Sequence, residues 1–375
     1  MSARRAARRL LVVSELPPPY GGLSVHTERL CATARRRGWR VAVASPPAGA
    51  PPPGAHFRRL RLLGAQLGYL GRVAFTRADV VHDHISTYSI GAPGRAALVL
   101  QVALLLALRA RRTPWILSCG NGLLPGLLAR TSPRLRRLYR WLYAPVRAAI
   151  AKNAPIEGAF AELGLGARSR VVGTFLEPVA PPSGGELAGP VEAFLAAHPR
   201  CVVSAGFRFE PLYHLEAVVR GVAEARAATP PDAPAIGLVV LGSHDEDAAG
   251  KAAYDAALAE TGIAEHVLLL RDVGDALDVI ARARLFVRAT DFDGDANTVK
   301  EAMMVGVRVL ATDLPNRPPG LDLFPRGELD GLGARIAALL GAPDAALLAR
   351  NRAFVREDIA RNEAAIFGLY EEALR

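Results

Sequence analysis

A chain of 375 residues is long enough for two domains of ordinary size. With 51% hydrophobic and 22% charged residues, 35 Gly and 28 Pro, it lies outside the compositions of disordered, collagen-like, coiled-coil and disulfide-scaffold chains and reads as a soluble globular protein. The net charge of +10 is unevenly carried: residues 1–150 hold 24 Arg and no Lys against four acids, whereas the other 225 hold 22 basic and 32 acidic groups. The first part therefore suits an anionic partner.

The three cysteines, Cys31, Cys119 and Cys201, share no CxxC spacing, which excludes a zinc ribbon or a redox dithiol and fits reduced thiols in a cytoplasmic compartment. Arg4, Arg5, Arg8 and Arg9 precede only four apolar residues before Pro17-Pro18-Pro19, too few for a signal peptide. The longest uncharged apolar stretch, 96–108, would rise ~20 Å as a helix against ~30 Å of hydrocarbon, so no membrane span is expected.

Short apolar runs alternate with longer amphipathic stretches, the rhythm of parallel sheets covered by helices. Strands are predicted over 10–14, 40–44, 80–81, 115–117, 149–151 and 170–172, with helices over 24–37, 65–76, 96–109 and 134–148 between them. The run from Phe175 to Pro190 is dense in Pro and Gly and reads as a linker. A second series follows, with strands over 202–205, 236–241, 267–270, 285–287 and 308–311. Its helices are predicted over 215–227, 251–261, 276–283, 297–305, 331–340 and 344–374. The expectation is two doubly wound domains, 1–178 and 191–375, joined by 179–190, with ligands at the carboxyl ends of the strands.

Two segments carry candidate chemistry. Gly21 and Gly22 stand between the first strand and the first helix, where amides without a neighbouring Cβ can approach an anion at a helix start. The plainer reading is a tight turn. The second segment runs from Arg288 through Asp291, Asp293 and Asp295 to Asn297, Glu301 and Gly306. An EF-hand reading from Asp291 fails because Ala296 and Ala302 stand where Gly and Glu are required. The carboxylates suit sugar and ribose hydroxyls, and the helix start at Asn297 suits phosphate; capping of that helix by solvated acids is the alternative. His82 and His84 point the same way on a strand but lack a third ligand for a metal. Around Arg134–Arg147 the arginines alternate with Leu, Tyr and Trp, a pattern suited to an anionic lipid surface or to an ordinary amphipathic helix. No nucleic-acid reader motif accompanies the charge.

Taken in order, Tyr20-Gly21-Gly22 with His26, Asp79-Val-Val-His-Asp-His84, Val240-Leu-Gly242-Ser243, and Asp293 to Gly306 followed by Val309–Asp313 resemble the retaining family-four glycosyltransferases of GT-B fold. The family's two acids separated by seven residues correspond to Asp293 and Glu301. The resemblance implies two Rossmann-like domains facing across a cleft, with the last helix packing back on the first domain. It implies that Asp293 contacts the transferred sugar, that Glu301 binds ribose, and that Asn297, Thr298, Gly21, Gly22, Gly242 and Ser243 surround the nucleotide. Arg208 would stabilise the diphosphate, with no metal and no cofactor beyond the nucleoside-diphosphate sugar. The acceptor, a glycan or lipid-linked intermediate at the inner membrane face, would meet His26, His84, Cys119 and Asn121 in the basic domain. Leu212 replaces an expected Lys, Cys119 an expected His, and the first acid is Asp rather than Glu. A catalytically degenerate scaffold that binds nucleotide or a partner is the alternative these departures raise.

Overall fold

A computed structural model of the chain describes residues 7–18, 20–46, 56–85, 95–120, 122–173, 175–180, 187–244, 246–274, 276–315, 317–341 and 344–375. They form two compact units. One comprises residues up to Pro17, Leu23–Val179 and Ala360–Arg375; the other comprises Pro18–Gly22 and Ala180–Ile359.

The first unit contains β1 (Arg9–Val13), α1 (Gly22–Arg36), β2 (Arg40–Ala44), α2 (His56–Phe75), β3 (Val80–Ile85) and α3 (Arg95–Ala110). Next come β4 (Trp115–Cys119), α4 (Leu124–Arg130), α5 (Pro133–Tyr143), β5 (Ala148–Ala151), α6 (Ala154–Glu162) and β6 (Ser169–Val171). The strands form one parallel sheet in the order β2-β1-β3-β4-β5-β6. β3, β4 and β5 are buried along their whole length, as expected of inner strands covered on both faces. Strand order reverses between β1 and β3, so the crevice beyond their carboxyl ends is the place where such a sheet holds a ligand.

The second unit contains α7 (Gly189–Ala197), β7 (Arg200–Ala205), α8 (Leu215–Ala227), β8 (Ile236–Gly242), α9 (Ala248–Thr261), β9 (Val267–Arg271) and α10 (Ala276–Ala281). It continues with β10 (Leu285–Arg288), α11 (Asn297–Val305), β11 (Arg308–Thr312), β12 (Asp322–Phe324), α12 (Leu332–Leu339) and the start of α13 (Ala345–Ala373). Its parallel sheet has the order β12-β11-β10-β7-β8-β9, reversing between β7 and β10. Both units are thus Rossmann-like, with different strand orders.

α13 is shared. Its last turns belong to the first unit, where Ile366, Phe367, Leu369 and Tyr370 join Leu10, Val12, Trp39 and Ile116 in one apolar cluster. Burial of four such side chains, at ~1.5–3 kcal/mol each, accounts for that docking. Three local expectations are corrected. The helix expected over 134–148 stops at Tyr143 so that β5 can enter the sheet, the linker ends in α7 from Gly189, and β12 adds an edge strand.

Candidate functional site

The crevice of the second sheet is built by the loops that leave β7 and β10. The loop after β7 is strained: Arg208, Phe209 and His214 hold φ of 60°, 53° and 43°. Side chains rarely adopt this left-handed region, at ~1–3 kcal/mol each, and such residues concentrate at functional sites. The neighbouring elements hold the loop. The Asp247 amide donates to the Arg208 carbonyl at 2.5 Å, and a Cβ on Gly250 would lie 1.7 Å from the Phe209 carbonyl oxygen. Gly242 likewise leaves room for the Phe209 ring, 2.7 Å from where its Cβ would stand.

Arg288 ends β10 and reaches the first candidate acid. Its Nη2 donates to Asp293 Oδ1 at 2.6 Å, its Nε to Oδ2 at 3.1 Å, and its Nη1 to the Ala205 carbonyl of β7 at 2.7 Å. Arg317, only 3% exposed, approaches Asp293 Oδ2 with Nη1 at 2.8 Å. Burial would raise the Asp293 pKa, but the two guanidiniums outweigh it and hold the carboxyl below its usual range. Asp293 is therefore an ionised acceptor, locked between two arginines. Arg317 also donates through Nε to the Thr312 carbonyl at 3.0 Å, while its Nη2 is buried without a hydrogen-bond partner among the described residues.

The same loop pairs its other charges. His214 Nε2 lies 3.1 Å from Asp291 Oδ2 and its Nδ1 3.5 Å from Glu216, contacts that raise the imidazole pKa, Glu216 first. Lys300 bridges Asp295 at 2.7 Å and Asp358 at 2.8 Å. Its ammonium is thus held by two carboxylates. Glu301 is buried on α11, one turn past Asn297. The Asn297 amide donates to the Gly22 carbonyl at 3.1 Å, and its Oδ1 is buried without a partner among the described residues.

The structure thus gathers Asp293, Arg208, Asn297, Glu301 and half-buried Thr298 onto the loops and helix beyond β7 and β10. Within the same unit Gly21 lies against Phe207, 2.9 Å from where a Cβ would be, and Gly22 has open space around it. Gly242 serves the packing of Phe209, and Ser243 is fully buried. Sequence reasoning missed Arg317 and Asp272. Asp272 accepts from the backbone of Tyr20 at 3.1 Å and of His244 at 2.8 Å.

In the first unit β3 buries His82, Asp83 and His84, unusual company for an inner strand. His82 meets the Tyr370 hydroxyl at 2.5 Å and the Ser118 hydroxyl at 2.9 Å. His84 stacks on His26 at 5.2 Å. Burial, then the charge of Lys152, pushes the His84 pKa down to about 3, and burial drives His82 well below its usual value, so both rings stay neutral. Asp83 is pushed the other way, up to about 7, by burial against the donation of the Trp115 indole. Cys119 is buried in the apolar core with Tyr139 and Tyr143, and burial lifts the Cys31 thiol to about 11. Asn121 lies outside the described residues. Among the described residues, no group of three His, Cys, Asp or Glu side chains is placed to hold a metal ion.

Comparison with known proteins agrees with this architecture. Residues 21–174 match the family model described as a glycosyl transferase 4-like domain. No curated protein matches in sequence. Among solved structures, HepE of Anabaena, crystallised with UDP and glucose, is similar over 97% of this chain and 100% of its own, at 15% identity and a TM-score of 0.66. Sucrose-phosphate synthase of Thermosynechococcus elongatus is similar over 97% and 98%, at 14% identity and 0.68. A UDP-forming α,α-trehalose-phosphate synthase of Burkholderia xenovorans, solved with glucose-6-phosphate, is similar over 98% and 100%, at 12% identity and 0.70. The structural likenesses define the fold class as GT-B. Within that fold, the family match is confined to residues 21–174, which resemble a glycosyl transferase 4-like domain.

Proposed function

We propose that the second unit binds a nucleoside-diphosphate sugar and that the glycosyl group passes, with retention of configuration, to an acceptor held by the basic first unit. The observation that carries this reading is the set of strained residues and paired charges at the strand-order reversal of the second sheet. A similar fold was crystallised with UDP-glucose, which supports a donor of that kind. In the reaction the bond from the anomeric carbon to the diphosphate breaks, the bond to the acceptor oxygen forms, and the acceptor proton leaves with the diphosphate. Guanidiniums and helix-start amides stabilise that departing charge, so no metal is needed. Asp293 is committed to Arg288 and Arg317, which argues against a covalent intermediate on it. The scaffold alternative is not favoured, since the charged groups of the site are assembled despite Leu212 and Cys119.

The acceptor is a lipid-linked or other glycan intermediate at an anionic membrane face. α5 supports this: Tyr139, Leu142 and Tyr143 face inward, while Arg134, Arg137, Arg140, Leu138 and Trp141 are exposed. Arg109 stacks on Trp141 at 4.2 Å. No described helix is long and apolar enough to cross a membrane, so attachment would be at the surface.

Incubation with UDP-, GDP-, ADP- and dTDP-sugars plus a cell-envelope lipid extract tests the activity. The expected result is nucleotide release matched by sugar-bearing product. Nucleotide release with no such product refutes transfer. Cosedimentation with phosphatidylglycerol vesicles at low salt tests the surface, and failure to cosediment removes the membrane part alone.

A further inference from the structure

The carboxyl ends of β1 and β3 border a cavity of about 200 Å³ within the first unit. It lies where strand order reverses, the position at which such a sheet takes a ligand. Its walls are mostly apolar, with leucines of α1, α2 and α3 such as Leu70 and Leu104 beside Val13 and Ile85, while Ser14, Glu15, Gln66, Asp83, His84 and Gln101 bring polar groups.

The polar members are unequally satisfied. Gln101 accepts from the Tyr139 hydroxyl at 2.9 Å through Oε1, and its amide lies against the Tyr143 hydroxyl. His84 Nε2 is buried with no hydrogen-bond partner among the described residues, on a side chain more than nine-tenths buried. Buried polar groups seldom go without partners, so such an atom on the cavity points to a ligand that supplies it. The opposite limit comes from the apolar side. Hydroxyls of a bare hexose that face Leu70, Leu100, Leu104 and Leu105 would go unpaired, and each one left unpaired weakens binding. A dry cavity of ~150 Å³ holds benzene, so this one accommodates a substituted ring or branched chain of roughly ten heavy atoms.

We propose that this cavity binds an apolar alcohol, isoprenoid or aromatic, whose hydroxyl meets Gln101 and His84 while its hydrocarbon lies against Leu70 and Leu104. Calling that alcohol part of the acceptor rests on the glycosyltransferase reading; the existence of the site does not. The neutral state of His84 suits a hydroxyl rather than an anion.

The test is calorimetric titration of the full chain, without nucleotide, with geraniol, cinnamyl alcohol and methyl α-glucoside. Leu104→Trp fills the cavity from a half-buried position, and Gln101→Leu removes the amide at similar volume. We expect at least one alcohol to bind, at least tenfold more weakly to Leu104→Trp and severalfold more weakly to Gln101→Leu, and methyl glucoside not to bind. Whichever alcohol binds more tightly identifies the hydrocarbon class. If Leu104→Trp lowers the thermal transition, Gln101→Leu decides alone. The inference is overturned if neither alcohol binds, if methyl glucoside binds as well as they do, or if the deciding variant leaves affinity unchanged. Failure of nucleotide binding by the second unit would refute the donor reading and leave this result standing.

Discussion

Replacing Asp83 with Asn removes the titration of a carboxyl that is 4% exposed, in the middle of an inner strand, without changing its size. Burial lifts its pKa from 3.8 to about 7. The folded state therefore holds a proton that the unfolded chain releases across this interval, so stability falls as pH rises from the unfolded value through the folded one. At ~1.36 kcal/mol per unit the full penalty is about 4 kcal/mol above pH 7, of which about 2.5 kcal/mol develops between pH 5 and 8. Asp83→Asn escapes it. The difference in stability between variant and parent should move in favour of the variant by that amount over the interval. His82 and His84 act in the other direction, losing stability as pH falls below ~6.5, but they are common to both proteins and cancel. Urea unfolding followed by tryptophan fluorescence is the assay, because Trp39, Trp115 and Trp141 all lie in the first unit. A difference that does not change between pH 5 and 8 would refute the buried-carboxyl argument.

The second unit supplies further expectations. Asp293→Asn leaves Arg288 and Arg317 buried without their shared counter-charge and should destabilise the second unit by ~3–5 kcal/mol, seen as a lower calorimetric transition; an unchanged transition would show that the arginines find other partners. Gly250→Ala sets a methyl against the Phe209 carbonyl and should cost at least ~1–3 kcal/mol, with near-UV dichroism reporting on Tyr213 and Tyr254 beside the displaced loop. Full stability in that variant would mean that the strained loop relaxes freely. Tyr370→Phe removes the hydroxyl that meets His82 at 2.5 Å and should cost ~1–3 kcal/mol in the fluorescence-detected transition of the first unit.

The alternation of apolar runs made most of the architecture legible, including all six strands of the first sheet and five of the second. The apolar pattern confines β3 to its two valines, because His82, Asp83 and His84 break an apolar run. The strand continues to Ile85 because the tertiary partners Tyr370 and Ser118 satisfy His82, and these lie 288 and 36 residues away. β12 is three residues long on a sheet edge, too short to carry a period. α4 and α6 are short and open with Pro, so they resemble turns.

The candidate site divides in the same way. The acids Asp293 and Glu301 follow from local spacing on one loop and helix. Arg317 does not, since it reaches Asp293 from beyond the next strand, and no motif spacing links them. The left-handed residues Arg208, Phe209 and His214 carry no sequence signal either, because none of them is Gly. The apolar lining of the cavity in the first unit looks like ordinary core, and only the folding brings it together with Asp83, His84 and Gln101.

Thermal unfolding with UDP, GDP, ADP and dTDP, each alone, on the parent protein and on Glu301→Ala addresses the central claim most directly. One nucleotide at ~100 times its dissociation constant should add ~2.7 kcal/mol to the folded state, and Glu301→Ala should abolish that shift. No shift with any of the four, or an equal shift in the variant, would contradict the assignment of the second unit as the donor site.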